Sequence, residues 1–191
     1  VIWESDPWKT ELRKFSQSIE VIADEKIHYD EAPEEEGEAD PFFELEKTLF
    51  LSAFIMRKLI ENKKITNKVA GCSIPLDAFD SLPNRETVAS QITNPLYDVQ
   101  GRYDIENPQK IQCSAHDLAG EIIHSFGLAW MISEDGRVDG LYLCSYKNEK
   151  KRALLLPIGA YVRVLNRIAD DEAVGMRVWK KPSGKYGTEI F

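Results

Sequence analysis

His28, His116 and His124 are the only histidines in the 191-residue chain, and imidazole is the side chain that exchanges a proton near neutrality. His124 has the most suggestive neighbours. Glu121-x-x-His124 has the i, i+3 spacing that puts carboxylate and imidazole on one helical face, and Asp117 lies one turn earlier. A carboxylate beside an imidazole can orient it as a general base. Arg57, or Lys58 beside it, would supply a phosphate contact. This set describes a ribonuclease-like chemistry, provided its members converge on an open cleft. The competing reading makes His124 a packing element. It stands among Ile122, Ile123 and Phe126, and buried polar groups are usually satisfied by hydrogen bonds that fix one element against another. The sequence alone favours that structural role.

Metal chemistry is the next candidate. Glu25-x-x-His28 repeats the Glu-x-x-His spacing, which di-metal carboxylate bundles use together with two further Glu residues from other helices. Glu44 or Glu46 would supply one of these, but no fourth long helix is evident. Cys113-x2-His116 with the later His124 has zinc-ligand types, yet His116 and His124 are eight residues apart and no second Cys pair completes a structural site. The expectation is therefore no metal and no cofactor. Cys72 and Cys144 read as small buried hydrophobes. The chain has no Gly-rich phosphate loop, nucleophile elbow or His-Glu-x-x-His motif.

Charge is uneven along the chain. Residues 1–50 hold 15 acids and 5 bases, whereas residues 146–191 hold 5 acids and 10 bases, within a net charge of −8. Asp30 to Asp40 (DEAPEEEGEAD), with Glu34, Glu35 and Glu36 at its centre, reads as a mobile acidic loop. Tyr97 and Tyr103 lie in a Pro- and Asn-rich stretch that reads as a second binding loop. Near the C-terminus, Arg177, Trp179, Lys180 and Lys181 combine bases with an aromatic ring, a pairing that suits nucleic-acid contact or a lysine-guarded edge strand. These residues are the expected partner-binding positions.

The elements that must position them follow from periodicity. Ser5 and Pro7 open a helix whose buried stripe is Trp8, Leu12, Phe15, Ile19 and Ile22. Asp40 and Pro41 open a second, with Phe42, Leu45, Leu49, Ala53, Met56 and Ile60 on one face and Phe43, Phe50 and Phe54 widening it. Lys68 to Pro75 reads as a short strand, and Leu76 to Pro108 as loop with a short helix near Glu86 to Ile92. Ser114 and Asp117 start a helix running to Phe126, ended by Gly127. Leu128 to Ser133, Val138 to Tyr146 and Arg152 to Leu156 form a meander. Pro157 opens a last helix to about Asp170 that buries Ile158, Tyr161, Val162, Leu165 and Ile168, and Val174 to Lys181 adds a strand before a turn at Pro182 to Gly187. The fold class is α+β, three or four helices packed on a small antiparallel β-meander. The chain reads as one domain: a helical region over residues 1–64, a loop-rich region over 65–113, a helix plus meander over 114–156, and a C-terminal helix with basic tail over 157–191.

Phe43 to Lys64, Asp117 to Phe126 and the Asp135-Gly136 hairpin leading to Ser145 resemble a group of bacterial proteins without assigned activity. The resemblance implies a bacterial cytosolic origin. The helix carrying Arg57 also resembles helical ribonuclease domains of the HEPN type, but no His follows Arg57 within their Arg-x4-6-His window. Three scattered cysteines and no basic-then-apolar leader point to the cytoplasm. No stretch reaches the roughly 18 apolar residues of a membrane span. By elimination the sequence reads as a non-catalytic interaction module that binds a protein partner or itself. The alternatives are a nucleic-acid-processing enzyme or toxin using His124, and a metal-carboxylate protein.

Overall fold

A computed structural model describes residues 3–26, 40–83 and 99–191 of the chain. Its elements in order are α1 (Asp6–Asp24), α2 (Pro41–Glu61), α3 (Asn67–Ala70), β1 (Ser73–Asp80), α4 (Val99–Arg102), β2 (Gln109–Ser114), α5 (Ala115–Ile123), β3 (Ser125–Ile132), β4 (Val138–Ser145), β5 (Arg152–Pro157), α6 (Ile158–Ala169), β6 (Met176–Lys180) and β7 (Tyr186–Ile190). The class is α+β, as expected. The sheet is larger than the expected meander, an antiparallel array of five strands in the order β2-β1-β5-β4-β3. Among the described residues no helix is long and apolar enough to cross a membrane.

Of the two additional strands, β1 was expected only in its first residues and β2 was concealed by its composition. Pro75 breaks the strand pattern of β1, and it is tolerated because β5 pairs only with Asp77 to Asp80, so the Pro75 nitrogen owes that neighbour no hydrogen bond. β2 is mostly polar and only one of its six residues is buried. The expected strand at Lys68 to Pro75 starts instead at Ser73, because Thr66 caps a helical turn over Asn67–Ala70.

Strand alternation sorts the core into two sides. Leu141, Leu143, Leu154 and Leu156 face the main cluster, which contains the buried stripes of α1, α2, α5 and α6. Tyr142, Cys144, Ala153 and Leu155 face the other way, where Phe79 and Tyr103 cover them. Tyr103 is therefore a core residue and not a binding-loop residue. It is 2% exposed, and its hydroxyl donates to the Glu149 carbonyl oxygen at 2.8 Å. Tyr97 and the acidic segment with Glu34, Glu35 and Glu36 lie outside the described residues, as do His28 and the short helix expected near Glu86 to Ile92.

α6 buries all five expected positions. Its C-terminal carbonyls are met by α1, where Lys9 Nζ donates to Asp171 O and Arg13 Nη2 donates to Ala169 O at 2.8 Å. Lys9 is buried in this role, while Trp8, expected in the core, is 41% exposed. α2 is capped by Asp40, whose side chain accepts from Phe42 N. Its buried side includes Thr48, Ser52, Ile55 and Leu59. Ser52 Oγ lies 2.8 Å from Tyr161 Oη and joins α2 to α6. Phe43 and Phe54 are exposed, contrary to expectation: a helix apolar around most of its circumference cannot announce which side will face water.

Candidate functional site, a cleft at the meeting of three elements

The C-terminal turn of α2, helix α5 and the connection from β4 to β5 converge on an open cleft of about 960 Å³. Each contributes for a local reason. Ser114 caps α5, accepting from Asp117 N at 3.0 Å while its hydroxyl donates to the Asp117 carboxylate at 2.7 Å. The helix then runs only to Ile123, with His124 as its C-cap, and Ser125, Phe126 and Gly127 open β3 instead of closing the helix. That early end exposes His124 at the cleft mouth. The packing role expected for His124 is thus corrected, because the ring is exposed and is not wedged between helix and sheet.

His124 Nε2 lies 3.2 Å from Arg57 Nη1. Arginine has donors only, so a hydrogen bond at this contact requires Nε2 as the acceptor, the tautomer with its proton on Nδ1. Arg57 Nε donates to Glu61 Oε1 at 2.7 Å, and Lys58 Nζ donates to Glu61 Oε2 at 2.8 Å. These hydrogen bonds, from Lys58 first and then Arg57, hold the Glu61 carboxyl down at about 2. His116 Nε2 stands 3.8 Å from Glu61 Oε1, and its Nδ1 stands 3.8 Å from Asp117 Oδ1. An imidazolium at position 116 would meet negative charge on both sides. One network therefore runs from His124 through Arg57 and Glu61 to His116.

Glu121, expected to orient His124, has another task. Its Oε2 accepts from Ser145 N at 3.1 Å and its Oε1 accepts from Asn148 Nδ2 at 2.5 Å. It anchors the β4–β5 connection to α5. That connection brings Lys147, Lys151 and Arg152 to the cleft, and none of the three joins an ion pair among the described residues. In the sequence, Lys147 to Lys150 reads as the turn between two meander strands. Its one signal, four bases among the six residues after Tyr146, is also what a solvated turn looks like.

No group of three or more His, Cys, Asp or Glu side chains among the described residues is arranged to hold a metal ion. Cys113 is buried beside the cleft, and burial followed by the charges of Asp117 and Glu121 pushes its thiol up to about 11. A neutral thiol is a poor zinc ligand and a poor nucleophile. Burial, the largest influence, also raises the Cys144 thiol.

The basic tail does not line this cleft. β6 and β7 form a separate two-stranded ribbon, on which Arg177 pairs in register with Glu189 and Trp179 with Gly187. The Trp179 ring lies against Gly187 so closely that a Cβ there would come within 2.4 Å of it. By alternation Lys180 faces away from Arg177 and Trp179, so the four residues expected to form one contact surface are divided between two faces.

Comparison with family models, curated proteins and solved structures gives no match.

Proposed function

We propose that this protein binds RNA phosphodiesters in the cleft and cleaves them with His124 as general base. The observation that supports this most directly is the 3.2 Å approach of Arg57 to His124 in an open cleft. A phosphate entering beside Lys147, Lys151 and Arg152 offers Arg57 a stronger acceptor than imidazole, because charge-assisted bonds to phosphate exceed those to neutral acceptors. Glu61 keeps hold of Nε while Nη1 changes partner. The exchange frees Nε2 of His124 to take the proton of a ribose 2′-hydroxyl. The 2′-oxygen then bonds to phosphorus as the bond to the 5′-oxygen breaks, and His116 supplies that oxygen's proton. The products are a 2′,3′-cyclic phosphate and a 5′-hydroxyl. General base catalysis of this kind contributes about 10²- to 10⁴-fold. The test is cleavage of labelled RNA by the protein and by its His124→Ala variant.

The second reading, a module that binds itself, is supported by the outer side of α2. Phe43, Leu51 and Phe54 are 57%, 46% and 49% exposed along one stripe, with Lys47 Nζ 5.6 Å from the centre of the Phe43 ring and Lys58 Nζ 5.7 Å from that of Phe54. An antiparallel second copy centred between Phe50 and Leu51 would set Lys58 against Phe43 and Lys47 against Phe54. Each cation would then meet an aromatic face across the interface. This is the interaction-module reading with a second copy as the occupant.

A further inference from the structure

Tyr146 immediately follows β4 and lines the cleft beside His124. Its side chain is 71% exposed, yet it is held. Its backbone N–H donates to the His124 carbonyl oxygen at 3.1 Å. Its ring meets Phe126 edge-on, with centroids 5.2 Å apart and planes at 85°. An edge-on contact of this kind occupies only a portion of the ring and leaves a face accessible. Phe126 lies two residues after His124 in β3, so both supports of Tyr146 come from the segment that carries the proposed base. Lys147, the next residue, is exposed. Two neighbouring segments thus bring an aromatic plate, an imidazole and a cation to the cleft.

We infer that Tyr146 is a stacking platform for a nucleobase, and that it restricts the cleft to single-stranded RNA; this rests on the phosphodiester reading above. Every base has a π-face, so stacking on tyrosine tolerates any sequence, but a base must leave its own stack to offer that face. In a duplex both faces of each base are covered by neighbours. The backbone bond from Tyr146 to His124 keeps the platform in step with the imidazole, so a stacked base places its strand beside the proposed base. Stacking of this type is read as about a 5- to 160-fold change in affinity per base on alanine substitution.

The experiment measures binding of a fluorescein-labelled 12-nucleotide RNA, free and annealed to its complement, to the full chain carrying His124→Ala so that the probe survives. Tyr146→Ala, Tyr146→Leu and Tyr146→Phe are compared in that background, with thermal melts to confirm folding. The single strand is expected to bind about 10-fold or more tightly than the duplex. Tyr146→Ala and Tyr146→Leu should lose about 5- to 160-fold on the single strand with little change on the duplex, and Tyr146→Phe should retain the preference. A 2-aminopurine probe should be quenched by the tyrosine and phenylalanine forms only. If the preference and the quench survive in the folded Tyr146→Leu variant, the stacking role is overturned, while cleavage by the His124-containing protein would leave the catalytic reading intact. If no form binds either RNA, both fall together.

Discussion

Arg57 and His124 are 67 residues apart in sequence, and their side chains meet at 3.2 Å. The contact exists because α2 packs along α5 and because α5 stops at Ile123, which leaves its cap residue facing the end of α2. Glu61 completes the arrangement by taking the other side of the guanidinium at 2.7 Å. Arginine is thereby presented with one edge fixed and one edge exchangeable.

That arrangement should persist in acid. The Glu61 carboxyl is lowered from 4.5 to about 2 by Lys58 and Arg57. A depressed carboxyl lends stability that is fully present above its unfolded value and is lost as pH falls through its folded value. The loss should therefore be confined to the window from about 4.5 down to about 2 and be complete only below it. Carbon-detected NMR titration of the Glu61 carboxyl should give a midpoint near 2, and a midpoint near 4.5 would show that the pair does not hold Arg57.

The Cys113 thiol, raised from 9.0 to about 11, should be unreactive in the folded protein. A shift of this size leaves about 100-fold less thiolate at neutral pH than an ordinary cysteine has. Alkylation by iodoacetamide in mildly alkaline buffer, followed by peptide mass spectrometry, should be at least about ten times slower at Cys113 in native protein than in urea. Comparable rates in the two states would mean that the site is open and its thiol ordinary.

Tyr161 ties α6 to α2 through Ser52, and Ser52 also donates to Leu49 O at 3.0 Å. Because that second acceptor remains, Tyr161→Phe should cost only about 0.5 to 1.5 kcal/mol in urea unfolding. Ser52→Ala should cost a similar amount, and the double variant less than the sum, since the two share one bond. Strict additivity would show that the two hydroxyls act independently.

The exposed α2 stripe gives a prediction for the self-association reading. Sedimentation equilibrium should show a dimer that Phe54→Glu converts to monomer with the secondary structure unchanged. A monomer at all concentrations for the unaltered chain would remove that reading.

Much of the fold was legible where one signal had one meaning. Pro157 and the spacing of Ile158, Tyr161, Val162, Leu165 and Ile168 define α6 and its buried side together. In α2 the cap at Asp40 marks the start, but apolar residues around the circumference leave its outward face undetermined, and Phe43 and Phe54 went to solvent. β2 was hidden because its exposed polar residues are held by register with β1 and not by their own burial. The site was legible only as a set of separate pieces. Arg57 and His124 belong together only if they share a cleft, which spacing cannot show, whereas Lys147, Lys151, Arg152 and Tyr146 were invisible as site residues. They reach the cleft through Glu121, whose grip on Ser145 N and Asn148 is a tertiary fact.

The central claim is the role of His124, and the most direct measurement is the cleavage rate of a 5′-labelled single-stranded RNA with end-group analysis of its products. The unaltered protein should release fragments ending in 2′,3′-cyclic phosphate, with His124→Ala slowed about 10²- to 10⁴-fold and Arg57→Ala also impaired. Intact RNA after prolonged incubation with the folded protein, or equal rates for the protein and its His124→Ala variant, would contradict the account.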